Sequence, residues 1–206
     1  MSVSKVNIEI VCPRRPWAFR APWLMPVLLA VLCGLLAACS VEAPEGVEPV
    51  TDFEAERYLG RWYEIARLDH RFERNLSAVT AEYAWREDGG VAVRNRGYKT
   101  DKQEWDEVEG KAYFIGEPDV GSLKVSFFGP FYGGYHIMAL DEAAPDYAYS
   151  LVSGPDRGYL WVLSRTPTLP EDTLAQLLAM AEAHGFPMDE LTMVDQSANI
   201  ENTSRD

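Results

Sequence analysis

The stretch YLGRWYEIARLDHRFE, residues 58–73, decides how the rest of this 206-residue chain is read. Gly60 and Trp62 stand two apart at the head of WYEIARL, a run whose alternation reads as a β-strand. Side chains two apart share one strand face. If Trp62 points inward, Glu64 and Ala66 point inward with it. A strand that opens on so large an aromatic side chain must bury it against something.

Seven further runs of the same kind follow. AVTAEYAW is closed by EDGG, a hairpin signal because glycine takes positive φ. VAVRNRGY, WDEVEGKAYFI, LKVSFF, YHIMAL, DYAYSLV and YLWVLSR come next, divided by the turn-like TDKQ, EPDVGS, GPFYGG, DEAAP and SGPDRG. Gly110 inside the fourth run suggests a bend or bulge. Eight short runs without an intervening helix predict an all-β fold, an eight-stranded antiparallel up-and-down barrel that closes to remove its edges. Before the first run, DFEAERYLG reads as a helical turn with Asp52 as N-cap, ending at Gly60. After the last, EDTLAQLLAMAEAHGF predicts a helix begun by Thr168 or Pro170 and stopped by Gly185. Leu174, Leu177, Leu178 and Ala181 form its apolar stripe, and Glu171 and Asp172 suit its positive end. LTMVDQ is a final short strand able to pair on the barrel.

The amino terminus reads separately. Arg14, Arg15 and Arg20 precede an apolar stretch from Trp23 to Ala38, the n- and h-regions of a signal peptide over residues 1–38. LAACS, residues 36–40, resembles the bacterial lipobox, which implies that Cys39 becomes a lipidated first residue, a palmitate-type acyl anchor. Ser40 in place of Asp implies the outer membrane. Acyl chains anchor without spanning. Residues 39–51 are Pro- and Glu-rich and read as a lipidated tether. The barrel domain takes residues 52–196 and a tail 197–206. Cys12 and Cys33 leave with the leader, so the domain carries neither a disulfide nor a cysteine nucleophile. The leader holds four basic residues and one acidic. Of 19 basic and 32 acidic residues, 15 and 31 therefore remain from Cys39 onward, a formal −16. Such a domain is a poor nucleic-acid binder.

Three short signatures give the chain a specific likeness. Gly60-Arg61-Trp62 resembles the lipocalin G-x-W on the first strand. Asp146-Tyr147 resembles the family's second motif, with Pro145 where Thr is usual. Arg165, in LWVLSRTP, resembles the third, an arginine ending the last barrel strand. FFGPFYGGY, GPDRGYLW, RNRGY and EGKAYF are similar to the bacterial outer-membrane lipoprotein lipocalins in particular, and YLGRWYEI and MVDQ also to the apolipoprotein D branch. The resemblance implies that Trp62 closes one end of the barrel beneath Arg165, with Gly60 beside it. Taken singly, each would be an ordinary core tryptophan and a surface arginine. Glu64 would then need a partner near the closed end, Arg165 or a tyrosine hydroxyl.

Strand phase offers Ala66, Ala81, Tyr83, Val93, Asn95, Ala112, Phe114, Val125, Phe127, Tyr135, Ile137, Tyr159, Trp161 and Leu163 as ligand-lining residues. The alternative for each is an outward face under the helix. A lumen of this kind suits a fatty acid or lysophospholipid. His70, Arg71 and Arg74 on the loop after the first strand could meet an acidic head group. His70, His136 and His184 are scattered without metal-ligand spacing, and no serine sits in G-x-S-x-G. No cofactor, metal or catalytic residue is implied. The reading is a lipid-binding, storing or transporting lipocalin, not an enzyme, at the bacterial outer membrane, with homodimerisation possible. Its rivals are a lipid-modifying enzyme in the same barrel and a structural lipoprotein without ligand.

Overall fold

A computed structural model describes residues 41–199. The segment read as a signal peptide, Cys39 and the last seven residues of the tail lie outside the described residues. The elements in order are α1 (Ala55–Tyr58), β1 (Gly60–Leu68), β2 (Leu76–Trp85), β3 (Val91–Lys99), β4 (Glu104–Phe114), β5 (Ser122–Ser126), β6 (Gly133–Leu140), β7 (Tyr149–Ser153), β8 (Leu160–Ser164), α2 (Glu171–Ala183), a 3-10 turn (Met188–Glu190) and β9 (Leu191–Met193). Each strand from β1 to β7 pairs antiparallel with its successor, and β8 pairs with β1, so the sheet closes on itself. β9 adds to the outer stretch of β1, at Ala66–Leu68.

Alternation sorts the apolar residues into two cores. The inner one gathers Trp62, Tyr83, Val91, Val93, Ala112, Leu123, Val152 and Leu163 around Phe53 and Tyr58. The outer one lies under α2, where Leu177 and Ala181 pack with Leu68, Leu151, Leu160 and Val162. Leu174 and Leu178 flank that stripe, partly buried. His184 ends the helix, its ring Nδ1 lying 2.8 Å from the Met180 carbonyl.

Three strands lose step. Registers shift at Glu64/Ala66 in β1, Ser77/Thr80 in β2 and Ile137/Ala139 in β6. The first shift overturns one assignment. Beyond it the faces exchange, so Ala66 packs in the outer core and Arg67 turns inward. Gly110 makes no bend: β3 and β4 pair without interruption from Val91↔Ala112 to Lys99↔Glu104. Its missing side chain instead makes room for Phe127, whose ring would stand 2.7 Å from a Cβ there. Asp146 and Tyr147 precede β7 in a turn, with Tyr147 at φ +46°.

Residues 41–51 do not trail free as a tether. Pro44 and Val47 are buried, Val47 in the outer core, and Val50 donates to Ile137 O and accepts from Gly121 N. Arg157 Nη2 donates to Glu45 O at 2.6 Å. The segment is a strap on the barrel wall.

Candidate functional site: the barrel interior

Odd-numbered barrel strands run away from α1 and even-numbered ones return, which gives the barrel a base and a mouth. At the base, Gly60 has φ +88°, open to glycine at little cost. It releases the chain from α1 into β1 so that Trp62, fully buried, lies across the axis. Trp62 Nε1 donates to Tyr58 O at 2.8 Å. The Arg165 guanidinium lies 3.9 Å from the Trp62 ring centroid. Its nitrogens donate to Asp146 O at 3.0 Å, Arg61 O at 2.9 Å and Arg57 O at 2.7 Å. These carbonyls lie in the turn before β7, at the start of β1 and at the end of α1. Arg57 stacks 4.0 Å over Tyr147 and donates to the carbonyls of Glu142, Ala144 and Pro145. The base is thus sealed by two aromatic rings under two guanidinium groups.

Above the base, Tyr58, Tyr83 and Tyr135 meet at their hydroxyls. Tyr135 Oη lies 2.7 Å from Tyr58 Oη and 3.0 Å from Tyr83 Oη, and Tyr58 also donates to Ser150 Oγ. Burial pushes the Tyr58 hydroxyl up to about 12 and raises Tyr83 and Tyr135 as well, so all three stay neutral donors and acceptors. A cavity of ≈ 20 Å³ lies among Phe53, Tyr83, Val91, Ala112, Leu123 and Val125. It holds about one water, not an alkyl tail. The second hollow, ≈ 280 Å³, is lined by Asp52, Glu54, Arg57 and Glu142 at the outer surface of the base.

The wall over the small cavity is not sealed. Ala81, Asn95, Phe114, Val125, Phe127, Tyr135 and Trp161 are only half-buried, although their strand phase turns them inward. Solvent therefore reaches down the shaft. Val93, Ala112, Ile137 and Leu163 are buried in the same inner core. Tyr159 stands at the rim, stacked on Trp161 and tilted against His70.

A charged group on the inner wall near the mouth was not foreseen. Arg67 Nη1 lies 2.7 Å from Glu64 Oε1, with both side chains almost inaccessible. Glu64 therefore finds its partner in Arg67, not in Arg165 or a tyrosine. Arg67 Nη2 donates to Glu73 O and Leu76 O. Glu73 Oε2 accepts from Trp161 Nε1 at 2.9 Å and lies 2.9 Å from His70 Nε2. Burial, then Glu73, pushes the Glu64 carboxyl up to about 8 against the pull of Arg67. Burial also opposes ionisation of Glu73, but His70, Trp161 and Arg67 outweigh it and hold Glu73 below the usual carboxylate range. Burial thus opposes the charge on Glu64 more than its one close cation favours it. Arg67 Nε, His70 Nδ1 and Asn95 Oδ1 are buried without a hydrogen-bond partner. Arg71 and Arg74 do not join this group: Arg71 stacks on Phe72, and Arg74 pairs with Asp69 at the surface.

Similarity to known proteins agrees with this architecture. The profile of a lipocalin-like domain matches residues 53–196. The chain is 54% identical over 175 residues to the outer membrane lipoprotein Blc of Citrobacter freundii, covering 84% of this chain and 97% of that one. The Vibrio cholerae protein of the same name is 52% identical over 172 residues, covering 84% and 99%. Apolipoprotein D of Bos taurus is 30% identical over 187 residues, covering 84% and 96%. Insecticyanin from the tobacco hornworm Manduca sexta shares the fold with a TM-score of 0.58 at 22% identity, covering 76% of this chain and 87% of its own.

Proposed function

The chain belongs to the lipocalin-like domain family, and from that premise we propose that it binds a single-tailed amphiphile, a fatty acid or lysophospholipid, while anchored at the bacterial outer membrane through lipid on Cys39. The carrying observation is the shaft: an inward-facing apolar wall that solvent reaches, above a base closed by Trp62 and Arg165. The names of the bacterial relatives support the anchored location. Each methylene moved from water into the shaft contributes about 0.8 kcal/mol.

The ≈ 20 Å³ cavity sets a condition on this reading. A tail enters only if side chains move, and Phe127 and Trp161 are the half-buried aromatic residues of the inner wall that would have to give way. Arg67 Nε and Asn95 Oδ1, which lack protein partners, offer a donor and an acceptor to a polar head. The role is binding, not turnover. A second copy of the chain is compatible with it, and sedimentation with and without ligand reads that directly.

Displacement of a fluorescent fatty acid by palmitate and by lysophosphatidylethanolamine tests the reading, with native mass spectrometry of the purified chain to weigh any retained lipid. Val125→Trp fills the shaft from a half-buried position. It should abolish the signal while circular dichroism shows the barrel still folded, the urea midpoint falling by no more than overpacking accounts for. Unchanged binding in that variant, or release of hydrolysed lipid, refutes the proposal.

A further inference from the structure

We propose that the mouth of the barrel, not its base, is the face that meets the lipid surface, with Phe72, Phe128 and Phe131 entering the headgroup layer. All three sit on loops at the mouth, between β1 and β2 and between β5 and β6, and they are 60%, 69% and 66% exposed. The two loops stand on opposite sides of the mouth, so their exposed rings enter one flat lipid surface together only when the barrel stands mouth-down.

The path of the chain says what covers it. The strap reaches the barrel at the same end. The Val41 carbonyl packs against Gly134 at the start of β6, 2.9 Å from where a Cβ would stand, and Glu45 is tied to Arg157 in the β7–β8 turn at the mouth. Only Ser40 separates Val41 from Cys39, two residue steps with a reach of at most about 7 Å. An acyl anchor there holds the mouth against the bilayer. It has no slack to bring the base round.

The mouth loops, residues 69–75, 100–103, 127–132 and 154–159, carry four charges of each sign, so they themselves bring no net charge to an anionic membrane. Arg71, 4.8 Å over the Phe72 ring, places a cation beside an apolar wedge, as a residue at phosphate depth requires. The one large exposed aromatic near the base, Trp85, stands on a strand face away from this rim.

This inference rests on the anchored reading above, and one experiment separates the two. All natural cysteines precede the barrel, so Phe72→Cys, Phe131→Cys and, at the base, Glu87→Cys each give one site for an environment-sensitive dye. The full chain, acylated in cells, is reconstituted into vesicles of phosphatidylethanolamine and phosphatidylglycerol and floated on a density gradient. The dyes at Phe72 and Phe131 should shift to the blue, brighten several-fold and be quenched by a lipid-borne quencher, while the dye at Glu87 stays as in water. A chain that does not float overturns anchoring and inference together. One that floats with both mouth dyes in water, or with the Glu87 dye shifted, overturns the inference alone. A blue shift before vesicles are added, lost on dilution, gives the rim to a second copy of the chain and overturns it too.

Discussion

Removing the Arg165 guanidinium tests the seal at the base. Its stack on Trp62, at 3.9 Å and half open to solvent, contributes about 1 kcal/mol. The hydrogen bond to Arg57 O is part-buried and made by a charged donor, so it adds about 1.5 kcal/mol. The bonds to Asp146 O and Arg61 O are exposed, and water replaces them at about 0.5 kcal/mol each. Arg165→Met, which keeps the stem over the indole, should therefore cost roughly 3–4 kcal/mol, a large share of the total stability of a domain. In a chain of this length that lowers Tm by about 10 °C. Arg165→Lys keeps a cation over the ring but reaches fewer carbonyls, and should fall about midway. Urea titration of the three proteins, with the slope of the transition checked for constancy, reads the ranking. If Arg165→Lys matches the wild type, the forked contact to three backbone carbonyls contributes nothing. If Arg165→Met costs less than about 0.5 kcal/mol, which is the scale of an ordinary surface change, the base is held by packing alone.

Three further perturbations bear on other parts of the fold. Gln196→Ala leaves Glu64 O and Val79 O without their donor and should cost about 2 kcal/mol in the same titration; Gln196→Glu, which replaces that donor with an acceptor, should be worse still, and equal midpoints would sink the claim. Glu64 has a folded pKa pushed from its ordinary 4.5 to about 8, so ionising it costs the folded state, and stability should decline as pH rises through that interval. Glu64→Gln should flatten this part of the pH profile, and a wild-type curve that climbs there while the variant's does not contradicts the direction. His136, buried beneath the strap with Ser122 on its Nδ1, is held below its ordinary 6.5 chiefly by desolvation. Its stabilising contribution is complete above that value and is lost as pH falls below it, so proteolysis of residues 41–51 should quicken near pH 5 in the wild type and not in His136→Asn.

The barrel was legible because alternation and turn chemistry are local. Each of β1 to β8 overlaps one of the eight runs marked by period-two patterning, though four of the runs reach past their strands, and α2 lies within the predicted amphipathic stretch. The three register shifts were not legible, since a bulge is a tertiary accommodation that leaves no mark on alternation. That is why Ala66 was assigned inward and Arg67 overlooked: counting by twos from Trp62 gives the wrong face once β1 slips at Glu64. The strap escaped for a different reason. SVEAPEGVEPVT has the composition of a linker, yet its valines are spaced for contact, and Val47 and Val50 bury against the wall. Only the barrel supplies the groove in which that spacing has meaning. The shaft's depth is likewise a product of packing: which half-buried aromatics crowd it depends on rotamers and on Gly110 yielding room to Phe127.

The bulge in β1, the charged group and the carboxyl-terminal segment form one construction. β1 and β2 pair directly only from Gly60↔Tyr83 to Tyr63↔Thr80; beyond that the two strands part. Splaying frees backbone groups that a barrel wall cannot leave unpaired. From outside, Val194 N donates to Ile65 O, Ala78 N donates to Asp195 O, and Gln196 bridges Glu64 O and Val79 O. From inside, the same slip swings Arg67 into the shaft, where its Nη2 donates to Glu73 O and Leu76 O at the root of the β1–β2 loop. A straight β1 would satisfy these groups more simply, but it would turn Arg67 to the outer core and leave the loop carrying His70, Phe72 and Glu73 without its inner tie. The irregular seam thus binds the rim of the mouth, and with it the loop that presents Phe72, to the wall of the shaft.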